Sequence, residues 1–499
     1  MRIQEDVQMA TMRDPVNITV YGNPVLDVII RVGPYATNAT AVRAINKIGR
    51  IRPEGAIEFQ PDSYIVCFLQ RDAAIFGPLN PNGQMDFVLP GGKYPVPFSI
   101  GGHANNLEEK VYTQLAGPEL RLGGGGANVL SGFFDIYAQL KVQFIATVET
   151  SESEGRLEPF IRALTDVVGV FDPVQVYEYP GVNLCIEGLG ISNERTIFTA
   201  QLPEEKQIAD LPRPRGKSIM VNTVYSPTVA LDALAYASYP DRLGVLALTK
   251  SLCAKKPIPQ RVLQIMRRRH PEIFTENTHI ESVYGFVKNV VLPRGHCICV
   301  MNEDELEHFT GIDFFIKKDR TRVPVLAGLI RAIKKFREFQ AGLRHRIYVT
   351  AGHWGSFVLN EDDHLIYCGI YRDPTRIPHG KTAIGDTYAT FILALETIGN
   401  YIRPYVISAE DVIRTASAGA DASVYEGFGL LSVAKVNRYV GERSRLVANL
   451  GPIESLQLEK WEIGLDEIRE SDYQGLARAD HKDGPGTLQE VIGRAFLRA

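Results

Sequence analysis

The chain has 499 residues, 45% hydrophobic and 22% charged, with 54 Lys and Arg against 58 Asp and Glu and a net charge of −4. This is ordinary globular composition, and the lack of a basic excess argues against a nucleic-acid partner and against an anionic membrane surface. Six cysteines are too few for a disulfide scaffold.

The segment Met1–Pro15 is polar and lacks the apolar core of a signal peptide. Residues 1–16 are therefore an N-terminal extension. No apolar run reaches the roughly 18 residues of a membrane span, so the expected location is the cytoplasm. Asn17–Tyr21 and Val28–Ile30 predict strands around a Gly22-Asn23-Pro24 turn. Asp27 is a lone acid among Val25, Leu26, Val28 and Ile29, and an isolated carboxylate there needs partners. Either the hydroxyls of a sugar or backbone amides would supply them. Residues 33–120 are rich in Gly, Pro and Asn, with short strand candidates such as Tyr64–Phe68, and predict a β-rich excursion.

At Arg121 the rhythm changes. Gly123, Gly124, Gly125, Gly126, Ala127 and Asn128 lead into a helical pattern with Val129, Phe133, Ile136, Tyr137 and Leu140 on one face. Glycines let a backbone approach a ligand closely, and the Asn128 amide offers a donor and an acceptor to a polyhydroxylated one. The G-x-G-x-x-G register of a dinucleotide site is absent, as is a P-loop. Gly101–Asn106 has similar letters, but the 123–128 run is followed directly by an apolar helix and a strand.

Further strands are expected at Val142–Val148, Ser218–Asn222, Leu243–Leu248, Cys297–Met301, Ile347–Thr350 and Ser356–Leu359. Helices are expected at Gly155–Val168, Ser226–Tyr236, Pro259–Arg269, Val323–Phe339 and Ala409–Tyr425. The alternation predicts an α/β fold with a doubly wound, mainly parallel sheet flanked by helices. Ligands of such sheets gather at the carboxyl ends of the strands. One domain is expected over residues 17–440. The more charged and interrupted residues 441–499 form a C-terminal extension. Cys297 and Cys299 share one strand face and are expected to be core thiols. Arg267, Arg268, Arg269 and His270 are expected at the solvated end of a helix.

Three segments carry the chemistry. Asn302-Glu303-Asp304-Glu305 follows the strand ending at Met301. Its carboxylate and amide suit water-mediated Mg²⁺ binding, and equally a capping box with Asn302 as N-cap and Glu305 three residues on. Thr350-Ala351-Gly352-His353-Trp354-Gly355 joins two strands, as a hairpin turn or as a glycine bed for a nucleotide. Thr382-Ala383-Ile384-Gly385-Asp386-Thr387-Tyr388 opens a helix with Tyr388, Phe391, Ile392, Leu395 and Ile398 on one face and Gly399 placed to end it. Helix N-termini carry unpaired amides and a partial positive charge that can hold an anion. Asp386 stands beside that anion, where a base could take a proton from an attacking hydroxyl.

In this order the motifs resemble those of the ribokinase-like (PfkB) family of carbohydrate and nucleoside kinases. The similarity covers roughly residues 17–32 and 121–440. The resemblance implies a doubly wound sheet with a β-lid, here enlarged within residues 33–120. It implies that Asp27, Gly123, Gly124 and Asn128 bind the acceptor, and that Asp386 is the base beside an anion hole of the Ala383, Ile384 and Gly385 amides. It implies that Asn302 and Glu305 organise Mg²⁺ and phosphate through water, and that Thr350, Gly352 and Gly355 line the nucleotide site together with Asn302. The implied activity is transfer of the γ-phosphate of ATP to a sugar-like or nucleoside alcohol. An ADP-dependent sugar kinase and a non-catalytic sugar or nucleotide sensor are the alternatives. A homodimer through the lid is a further expectation. Departures from the family pattern are Gly380 and Lys381, where it often has an acid and a threonine, and Ala383 and Ile384 in place of Gly and Ala.

Overall fold

The computed structural model describes residues 17–31, 49–51, 57–59, 93–96, 119–136, 141–149, 169–177, 182–189, 194–200, 205, 208, 210–275, 280–318, 321–324, 326–352, 355–369, 384–402, 407–426 and 461–464. The expected strand Tyr64–Phe68, the Gly101–Asn106 segment, the expected helix Gly155–Val168, residues 1–16 and residues 370–383 lie outside them. Those last include Gly380, Lys381, Thr382 and Ala383.

Among the described residues, the main sheet has ten strands. From one edge the order is Trp461–Gly464, His364–Cys368, Ser356–Leu359, Ile347–Thr350, His296–Asn302, Leu243–Ala247, Ser218–Asn222, Asn17–Gly22, Lys141–Glu149 and Gly169–Tyr177. From Ile347–Thr350 to Gly169–Tyr177 every pairing is parallel, and the three strands at the other edge pair antiparallel. Gly169–Tyr177 holds Pro173, which an edge strand tolerates because it need not donate to a further neighbour.

Side chains alternate across the sheet. Tyr21, Ile219, Val221, Leu246, Cys297, Cys299 and Met301 point into one apolar layer with the helices Pro227–Ala237, Gln260–Arg269, Glu303–Thr310 and Leu326–Glu338. The helices Gly125–Ile136, Ile384–Thr397 and Ala409–Glu426 pack together and contact the strands Asn17–Gly22, Ser218–Asn222 and Ser356–Leu359. This is the expected doubly wound arrangement. Among the described residues, no helix is long and apolar enough to cross a membrane.

A second, five-stranded sheet has the order Lys93–Val96, Glu194–Ala200, Val182–Leu189, Val25–Arg31, Glu119–Gly123. The hairpin formed by Val182–Leu189 and Glu194–Ala200 comes from outside the 33–120 excursion, so that excursion does not supply the whole sheet.

Four local expectations need correction. The helix expected at Val323–Phe339 spans Leu326–Glu338. Val323 lies instead in Thr321–Pro324, paired antiparallel with Phe315–Lys318, because Pro324 disfavours helical geometry in the residue before it. Gly399 does not end its helix but lies in a π-helical turn, Ile398–Ile402, where Asn400 Nδ2 donates to Glu396 O at 2.7 Å. That helix has no solvent face, since Thr387 to Ile398 are all buried. Arg267 and Arg268 are exposed as expected, but the basic run is not wholly solvated. Arg269 pairs with the buried Asp232, and the buried His270 Nε2 lies 2.8 Å from Asp232 Oδ1. The thiols of Cys297 and Cys299 are buried as expected.

Candidate active site

Parallel register brings several loop-side residues to one edge. Gly22 pairs with Asn222 and with Ala146, Asn222 with Ala247, and Asn302 with Thr350. These are the carboxyl ends of adjoining strands, where a doubly wound sheet offers its crevice.

The glycine run is bedded against protein atoms rather than left bare. A Cβ on Gly123 would overlap the Asp27 carboxylate. Gly124 has φ +89 and a Cβ there would overlap Asn23 O, so the position requires glycine on two counts. A Cβ on Gly125 would lie 2.7 Å from Asn222 Cγ, and one on Gly126 2.6 Å from Gly22 Cα. The helix Gly125–Ile136 can therefore start flush against the end of the first strand. Asp27 is 4% exposed. Its oxygens lie directly over Gly123, so Asp27 and the start of the 123–128 turn are packed together.

Asp386 lies in the first turn of the helix Ile384–Thr397. It is half-buried and Gly385 before it is exposed; among the described residues, a Cβ built on Gly385 meets nothing within 4 Å. Asn128 Nδ2 donates to Asp386 Oδ2 at 2.7 Å. Asn222 Nδ2 donates to Asp386 Oδ1 at 3.2 Å. The glycine turn and the Gly385-Asp386 helix start therefore face one another. The Thr390 hydroxyl bonds Asp386 O at 2.8 Å and secures the first turn. The Ala383 amide lies outside the described residues.

Asn302 and Glu305 form a complete capping box. Asn302 Oδ1 accepts from Glu305 N and Glu305 Oε2 accepts from Asn302 N, each at 2.8 Å. The capping role is thus filled, and each side chain keeps further polar atoms. Burial pushes the Glu305 carboxyl up to about 7, while the Asn302 amide and Lys250 pull it down and Asp304 and Asp386 raise it further. The donors here are all hard oxygens with negative charge in excess, a set that fits Mg²⁺. Among the described residues, no group of three or more His, Cys, Asp or Glu forms a direct metal cage.

Thr350 to Gly355 is a hairpin turn between antiparallel strands. Gly352 has φ +54, is exposed, and a Cβ there would lie 3.5 Å from Glu303 Oε1. Gly355 has φ +106, and a Cβ would come 2.5 Å from Cys368 O. The turn thus sits beside the helix that starts at Glu303. His353 and Trp354 lie outside the described residues.

Asn222 and Thr223 had no motif to mark them. The only signal was a polar pair at the carboxyl end of an apolar strand.

No family model and no curated protein matches the chain. Among solved structures it is similar to ribokinase from Cryptococcus neoformans var. grubii serotype A in complex with ADP, at 12% identity and TM-score 0.49, over 85% of this chain and 99% of that one. Similarity extends to adenosine kinase from Sinorhizobium meliloti, at 12% identity and TM-score 0.48, over 86% of this chain and 99% of that one. A nucleoside kinase of the ribokinase family from Methanocaldococcus jannaschii is similar at 14% identity and TM-score 0.44, over 85% of this chain and 98% of that one.

Proposed function

We propose that the protein is a Mg²⁺-dependent phosphotransferase that moves the γ-phosphate of ATP to a hydroxyl of a sugar-like or nucleoside acceptor. One observation carries the reading. The Asp386 carboxylate stands in the first turn of a helix, gripped by two amides, at the carboxyl edge of a parallel sheet. Phosphoryl transfer needs an anion cradle and a positioned base.

In this reading the acceptor lies on the wall formed by Asp27, Gly123, Gly124 and Asn128, beneath the five-stranded sheet acting as a lid. Asp386 takes the hydroxyl proton as the acceptor oxygen attacks the γ-phosphorus. The bond from that phosphorus to the bridging oxygen breaks, and ADP leaves with the electron pair. The amides of Ala383, Ile384 and Gly385 hold the transferring group. Asn302 and Glu305 hold a hydrated Mg²⁺, which supplies charge neutralisation at the phosphate oxygens. Thr350, Gly352 and Gly355 seat the nucleotide. Closure of the lid excludes water and suppresses hydrolysis, and a homodimer through the lid covers one of its edge strands. A cytoplasmic location suits an ATP-dependent enzyme.

The test has two stages. A thermal-shift screen of sugars, sugar phosphates and nucleosides with Mg²⁺ and a nonhydrolysable ATP analogue finds the acceptor, because a ligand of the folded state raises the melting point. Transfer from radiolabelled ATP, and from labelled ADP in parallel, then measures turnover. Binding of nucleotide without transfer to any acceptor in the panel rejects the enzyme in favour of a sensor. Transfer from ADP alone reassigns the donor.

A further inference from the structure

Asn222 closes the strand Ser218–Asn222 and is 1% exposed. Its amide is held in one sense. The Thr223 hydroxyl donates to Asn222 Oδ1 at 2.9 Å, which leaves Nδ2 to donate to Asp386 Oδ1 at 3.2 Å. Thr223 adopts φ 42, a left-handed conformation that is uncommon for a β-branched residue. Its carbonyl accepts from Asn23 N at 3.0 Å, which fixes it there. Gly125 leaves the space that the amide occupies. On the other side Asn128 Nδ2 takes Asp386 Oδ2 at 2.7 Å. Each carboxylate oxygen thus accepts one of these two amides. Backbone strain, a dedicated glycine and an oriented amide all converge on one carboxylate.

We propose that Asn222 is a positioning residue for Asp386. Its amide, turned by Thr223, sets the plane in which the carboxylate meets the acceptor hydroxyl. The proposal rests on the phosphotransfer reading above. Asn222 itself gains and loses no proton, since the hydroxyl proton passes to Asp386. Asparagine is required because aspartate has the same shape but cannot donate and would add a like charge beside the base.

The test is a kinetic and thermal double-mutant cycle on the full chain. Asn222→Ala is expected to lower kcat by about 10- to 100-fold, as misplacement of a reacting group does. Both KM values should stay within about threefold, because the lost interaction belongs to the transition state. Asn222→Asp should fall at least as far. Thr223→Ser keeps the hydroxyl and should retain kcat, whereas Thr223→Ala should lose several-fold. In an Asp386→Asn background, Asn222→Ala should cost less than about twofold more, because it acts through the residue already changed. An equal loss in both backgrounds, or a change confined to KM, overturns the proposal and leaves Asn222 a packing residue. Melting temperatures of the four apoproteins separate the two possible failures. A wild type that transfers no phosphate, with coupled melting temperatures, defeats the phosphotransfer reading and leaves the contact standing. Additive melting temperatures defeat the Asn222 contact itself.

Discussion

Asn128 and Asp386 are 258 residues apart in sequence, yet the Asn128 amide donates to the Asp386 carboxylate across 2.7 Å. The contact joins the helix that follows the glycine turn to the first turn of the buried helix Ile384–Thr397. A helix mouth with a carboxylate becomes a candidate catalytic centre only when a second, remote element meets it there, and Asn128 meets that condition.

Asp386→Asn removes the proton acceptor and keeps the shape. Turnover should fall by about 10² to 10⁴, the usual worth of a positioned general base. Nucleotide affinity should stay close to that of the wild type, measured by isothermal titration with the nonhydrolysable analogue. Unchanged turnover would remove Asp386 from the mechanism.

Gly123→Ala drives a methyl group into the Asp27 carboxylate. Overpacking of this kind costs about 1–3 kcal/mol, readable by urea denaturation. The acceptor KM should rise while the nucleotide KM holds. Equal rises in both would show that Asp27 does not belong to the acceptor wall.

Gly355→Ala meets two penalties, the left-handed φ of +106 and the Cys368 carbonyl. Gly352→Ala meets only the first, at φ +54, with space around it. The Gly355 variant should therefore show the larger rise in nucleotide KM, with the acceptor KM little changed. The opposite ranking would argue against this turn as the nucleotide bed.

His345 lies with its ring centroid 4.6 Å from that of His296. Burial, then the neighbouring His296 and Arg337, push His345 from its ordinary 6.5 down to about 4. Between those values the unfolded chain binds more protons than the folded one, so stability rises with pH. The contribution is whole above about 6.5 and is lost as pH falls toward 4. Melting curves of the wild type should shift downward across that window, and those of His345→Gln should shift less. Parallel pH profiles would contradict this.

The strands were the most legible part of the sequence. Ser218–Asn222, Ile347–Thr350 and Ser356–Leu359 appear with the expected ends, because short apolar runs between turn residues leave little choice of register. The helix start at Ile384 and the glycine run were legible for the same local reason. Long-range polar partners were not. Asn222 reaches Asp386 across 164 residues, and nothing near Asn222 in the chain announces it. Arg269 and His270 look like a solvated basic end until Asp232, a buried acid on another helix, is placed beneath them. Pro324 itself argues against a helix beginning at Val323. The hairpin of Val182–Leu189 and Glu194–Ala200 has no strong local signal, and the pairing of Val182–Leu189 with Val25–Arg31 depends on tertiary contact.

The strand Asn17–Gly22 lies between two parallel neighbours, Lys141–Glu149 and Ser218–Asn222, both of which come much later in the chain. During synthesis this segment leaves the ribosome with no mate. It has to wait, apolar and unpaired, until Lys141–Glu149 has emerged, and for its second neighbour until residue 222 has, and pairings so distant in sequence form slowly. Nascent chains halted short of that point are the ones a holding chaperone would be needed to shield, so the demands of biogenesis are written into the order of the strands.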